Sequence, residues 1–138
     1  MVRHTKKGKR FEMLISRADL ALKLEFYLEA SWILYSLLEE RLKSLSISKL
    51  KLTMNRENFC ECLESLALER KKNIIIEENL SEELLIKLNN WRLERNKIMH
   101  DLAKEDIDYN KVVIMAKEGR VLFADLTKAL IKIKKSLK

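Results

Sequence analysis

Arg95, the Asn96 that follows it, and His100 are the side chains of this sequence whose types and spacing could do chemistry together. An imidazole titrates near neutrality and can take and return a proton, while a guanidinium offers a fixed fork that matches phosphate oxygens. The pair is a minimal kit for cleaving a phosphodiester without a metal ion. Arg95 also breaks a pattern. Leu84, Leu88 and Trp91 advance by four and then three residues, and the same seam continues through Arg95 to Ile98 and Leu102. A cation on an otherwise apolar seam needs an anionic or hydrogen-bonding partner, because burying it alone is costly.

Asn96 and His100 stand four residues apart and so share a helical face, which makes Arg95, Asn96 and His100 candidates for one pocket near a helix C-terminus. Two plainer assignments stand beside this one. Arg95 could pair with Glu25 or Glu29 of the first predicted helix, or carry its head out of the seam; His100 could simply face the helix dipole. If the helix is continuous through His100, Arg95 and His100 lie about 140° apart around its axis, and their cooperation then favours two protomers sharing a cleft.

Other chemistries find little support. The two histidines, His4 and His100, form no metal-binding motif, and Cys60 and Cys62 are spaced so that a helix turns them roughly 200° apart, unsuited to a disulfide or a metal pair. They read as packing residues in a reducing compartment. With Gly8 and Gly119 as the only glycines, there is no phosphate-binding loop, dinucleotide fingerprint or nucleophile elbow. No metal and no cofactor are expected.

The elements that must position these residues are helical. The chain has 138 residues, 47% hydrophobic and 36% charged, with no proline and 7% aromatics, which fits one all-α domain over residues 1–138 and disfavours a turn-rich β fold. After a basic tail over residues 1–10, apolar periodicity predicts helices at about 16–45, 55–72, 80–101 and 109–136. Residues 44–54 read as a connecting loop, and Ile74, Ile75 and Ile76 as a return to the core. Asn55, Asn79 or Ser81, and Asp108 are the expected N-caps. The sum is an antiparallel bundle of four, at most five, helices. No apolar run approaches the ~20 residues of a membrane span and the first residues lack a signal-peptide core, so a cytoplasmic protein is expected. The net charge of +7 is concentrated at the ends: residues 1–17 hold six Lys or Arg against Glu12, and residues 128–138 hold five Lys and no acid. Such ends attract a polyanion, most commonly a phosphate backbone.

The run from Trp91 to Ala103, with Arg95, Asn96, three residues and then His100, resembles the signature of the HEPN superfamily, an Arg followed after four to six residues by a His, often with Asn directly after the Arg. The close likeness covers residues 91–103; a looser one, of helical architecture, covers residues 11–137. The resemblance implies a helical bundle that pairs as a homodimer, places both motifs in one cleft and cuts RNA without metal, in a toxin-antitoxin or defence setting. It implies His100 as general base or acid, Arg95 as stabiliser of the phosphate's charge and Asn96 as an orienting or RNA-binding residue. Arg92 and Lys97 become candidate RNA contacts, Glu25 or Glu29 a candidate supporting acid, and an antitoxin a candidate partner. One departure concerns a subgroup of toxins in which a Tyr two residues after the His is the target of nucleotide modification; that position is Leu102 here. The alternative is a non-catalytic helical module that binds RNA or protein.

Overall fold

The computed structural model describes residues 6–45, 58–104 and 106–136, and these are helical apart from short turns. The helices are α1 (Lys6–Lys23), α2 (Tyr27–Ser44), α3 (Phe59–Arg70), α4 (Ile74–Asn79), α5 (Glu82–Asp101) and α6 (Tyr109–Ser136). The all-α bundle expected from periodicity is what forms, with six helices among the described residues rather than four or five.

Two differences account for the count. The long helix expected over residues 16–45 is broken at Leu24, Glu25 and Phe26, where Glu25 adopts a positive φ of 65°. There the Phe26 N–H donates to Ala21 O at 2.7 Å and the Glu25 N–H to Leu22 O at 3.2 Å, the paired bonds that close a helix around a left-handed residue. Gly usually holds that position, and Glu25 gave no stop signal. The break shifts the apolar register, so Leu20 and Leu24 lie exposed while Ala18, Ala21, Tyr27, Ala30, Leu34, Leu37, Leu38 and Leu42 are buried. The second difference is α4, where the expected return to the core is itself a short helix capped by the Asn73 side chain, with Ile76 buried and Ile74 exposed.

The basic tail is shorter than expected, since α1 already begins at Lys6. Residues 46–57, which include most of the expected connecting loop and the Asn55 cap, lie outside the described residues. Helix α3 is capped by Asn58 instead, which accepts from the Glu61 N–H at 2.9 Å while Glu61 reaches back to the Asn58 N–H. Ser81 caps α5, accepting from the Leu84 N–H at 3.0 Å, and Asp108 accepts from the Asn110 N–H at 3.0 Å at the start of α6.

Packing fixes the directions. Helices α1 and α2 are antiparallel across their turn, as are α5 and α6, where Trp91 packs on Gly119. Helices α2 and α6 run parallel: Tyr27 meets Tyr109 at 6.3 Å between ring centroids, while farther along Arg41 and Phe123 both meet Phe11. The α6 stripe of Val112, Ala116, Gly119, Leu122, Phe123, Leu126, Leu130 and Ile133 is buried throughout. Cys62 is buried in the core and Cys60 half-buried, and no disulfide joins them. Among the described residues, no helix is long and apolar enough to cross a membrane.

Candidate functional site

Helix α5 is continuous through His100 to Asp101, so its seam can be followed residue by residue. Leu85, Leu88, Trp91 and Ile98 are buried, Leu84 is half-buried, and Leu102 is exposed in the turn that follows. Arg95 fills the gap in the seam between Trp91 and Ile98. Opposite it stands Tyr35 of α2, whose ring packs on Phe59 and Trp91 at centroid distances of 5.1 and 6.2 Å. The Arg95 guanidinium carbon lies 4.6 Å from the Tyr35 ring centroid, a stacked cation of the kind arginine forms readily.

This cation is unusual in what it lacks. Its Nε is buried without a hydrogen-bond partner, and Nη1 donates to Asn96 Oδ1 at 3.3 Å. Burial pushes the Arg95 pKa down, and Tyr35 acts in the opposite direction. No carboxylate among the described residues lies within ion-pair distance of Arg95. The two candidate supporting acids do not join it. Glu29 accepts from Arg17 Nε at 3.4 Å, in an exposed pair, and Glu25 is exposed at the turn between α1 and α2.

His100 is exposed on α5, and its Nε2 lies 3.1 Å from Lys104 Nζ, the ammonium being the donor. Lys104 is four residues on from His100, a spacing that marks it in the sequence once the helix is known to reach that far. Arg92 is held by Asn89, whose Oδ1 accepts from Nε at 3.2 Å and Nη2 at 2.9 Å. It lines a groove of about 470 Å³ between α3 and α5, together with Cys60, Glu64, Arg70 and Glu82. Lys97 is exposed on α5.

The expected pocket therefore forms only in part within one chain. Arg95 and Asn96 are hydrogen-bonded, and Asn96 and His100 share a face. Arg95 and His100, however, lie about 140° apart around the α5 axis and about 7.5 Å along it. Between them in sequence, Met99 reaches a second and more apolar groove of about 760 Å³, lined with it by Leu14, Leu28, Trp32, Ile33 and Ser36. Trp32 is 68% exposed there. Sequence reasoning missed this groove because the α1–α2 break sets which side of each helix faces outward. Among the described residues, no three His, Cys, Asp or Glu side chains cluster as metal ligands.

Compared with known proteins, the chain matches no family model, and neither the curated proteins nor the solved structures give a match.

Proposed function

We propose that this protein is a metal-independent endoribonuclease of HEPN type, acting in the cytoplasm as a homodimer. The observation that carries the reading is Arg95: a half-buried guanidinium stacked on Tyr35, joined to Asn96, neutralised by no described carboxylate, and on the same continuous helix as His100. A structural arginine would be expected to have found an acid, whereas one kept for phosphate has reason to lack it.

In this mechanism His100 removes the proton from a ribose 2′-hydroxyl as that oxygen attacks the adjacent phosphorus. Arg95 stabilises the added negative charge on the pentacoordinate phosphate, and Asn96 holds the guanidinium or the RNA in place. The bond to the 5′-oxygen breaks, and that oxygen takes a proton from water as it leaves, while the hydroxide so formed takes back the proton held by His100. The products are a 2′,3′-cyclic phosphate and a 5′-hydroxyl. The divergence of Arg95 and His100 in one chain is met by pairing two chains, and the exposed apolar groove at Trp32 and Met99, beside His100, is the surface a second copy would cover. A toxin-antitoxin or defence role, with a neutralising partner protein, belongs to the same proposal.

That divergence also favours a second reading, a non-catalytic helical module in which Arg95 only packs on Tyr35. Incubation of the purified protein with RNA in excess EDTA, followed by end-group analysis, separates the two. Fragments ending in 2′,3′-cyclic phosphate support the ribonuclease; intact RNA, or fragments ending in 3′-hydroxyl, support the module.

A further inference from the structure

Because α2 and α6 run parallel and α1 antiparallel to both, the start of α1 and the ends of α2 and α6 meet at one pole of the bundle. The contact of Phe11 with both Phe123 and Arg41 marks where they converge. Lys6, Lys9 and Arg10 are contributed by α1, with no acid in its first turn. Helix α6 adds Lys128, Lys132 and Lys135, and no acid follows Asp125. From α2 comes Arg41, whose guanidinium carbon lies 4.0 Å from the Phe11 ring centroid while its Nε is buried without a hydrogen-bond partner.

Helix energetics account for only part of this. Lysines at the end of α6 complement the macrodipole there. Cations at the start of α1 oppose it, and an unpartnered Arg41 Nε is a further cost, so local stability does not explain the arrangement. Acids are present at this end, Glu12 in α1, Glu39 and Glu40 in α2, Glu77 and Glu78 in α4 and Glu82 and Glu83 in the first turn of α5. Glu39 is paired with Lys43 and Glu83 with Lys87, and on α1, α2 and α6 the described cations of this end outnumber the acids.

We propose that this corner is a docking surface for the phosphate backbone of RNA, separate from the Arg95 and His100 motif. Tyr35, beneath Arg95, is six residues from Arg41, and Gly119, beneath Trp91, is thirteen from Lys132. Arg95 is a further four residues of α5 from Trp91 in the opposite direction, so at 1.5 Å per residue the corner lies about 9 to 26 Å from Arg95. At ~3.4 Å of helix axis per phosphate of one duplex strand, 26 Å of axis corresponds to about eight phosphates. An anionic membrane fits less well. A helix that lies on lipid sets large apolar side chains among its lysines; among the described residues the last turns of α6 expose Ile131 alone, and on α1 the exposed Met13 and Leu14 come after Lys6, Lys9 and Arg10 instead of among them. The choice of RNA over other nucleic acids rests on the ribonuclease reading, so the test measures binding and not cleavage.

The probe is a fluorescein-labelled, fully 2′-O-methylated RNA of about 20 nucleotides, which has no free 2′-hydroxyl to be cut, followed by anisotropy across a range of salt concentrations. The test variant is Lys9→Glu, Lys128→Glu and Lys132→Glu together. The control, Lys23→Glu, Lys111→Glu and Lys117→Glu, makes the same change in net charge on exposed residues toward the opposite pole. Circular dichroism confirms that both are folded. The test variant should bind at least about ten-fold more weakly, with the slope of log Kd against log salt reduced by about two to three, while the control changes Kd by less than about three-fold. Equal weakening by both variants would assign the effect to net charge and overturn the proposal. So would wild-type affinity in the test variant, or binding to phosphatidylserine vesicles under conditions where the RNA is not bound. Corner-dependent binding by a wild-type protein that cuts no RNA would dismiss the ribonuclease and leave this proposal standing.

Discussion

Arg95 is held in place by packing. Its contacts are the Tyr35 ring and the neighbouring Asn96 amide, and among the described residues no carboxylate neutralises it. The consequence is a separation of stability from activity at this residue. Replacing a half-buried cation that has no acid partner by an apolar side chain of similar length is often neutral or stabilising. Arg95→Met should therefore melt at or above the wild-type temperature while cleaving RNA at least ~10²-fold more slowly. A loss of several kcal/mol in denaturant unfolding, at unchanged cleavage, would make Arg95 a packing residue. The sequence exposed Arg95 through the break it makes in an apolar seam, and that inference needed only periodicity. Tyr35 as its partner was not legible. The two residues are sixty apart in sequence, and periodicity within a helix says nothing about which residue of another helix it meets.

At the level of helices, what was legible followed the strength of the local signal. Helix α6 matched its expected bounds of 109–136 because Asp108 caps it and an uninterrupted stripe runs along it. The break between α1 and α2 was hidden because a non-glycine residue holds the left-handed position. Glu25→Gly should relieve that conformation and stabilise the fold by about 1 kcal/mol, read from chemical denaturation. A decrease would mean that the Glu25 side chain stabilises the turn. Gly119 marks a close approach of α6 to the Trp91 indole of α5. A Cβ there would lie 2.7 Å from Trp91 Cζ2, and the indole is fixed by its Nε1–H bond to Met115 O at 2.8 Å. Gly119→Ala gains about 1 kcal/mol of helix propensity but overpacks by about 1–3 kcal/mol. Its expected result is a melting temperature lower by a few degrees. A higher melting temperature would show that Trp91 shifts freely.

In the whole molecule, Arg95 and His100 belong to different sectors of one helix, and Met99, between them in sequence, lines the groove at Trp32. A homodimer that covers this groove brings a second motif to the same place. Trp32→Glu should leave a folded monomer by sedimentation at micromolar concentration and abolish cleavage with it. A Trp32→Glu protein that stays dimeric would move the interface elsewhere, and an active monomer would remove the shared cleft. His100 is an exposed side chain whose loss costs the core little. The decisive measurement is the rate of RNA cleavage in excess EDTA by wild type and His100→Ala side by side, with melting temperatures taken on the same samples. The expected result is cyclic-phosphate fragments from the wild type and a rate at least ~10²-fold lower from the variant, at unchanged stability. Equal rates from the two proteins would contradict it.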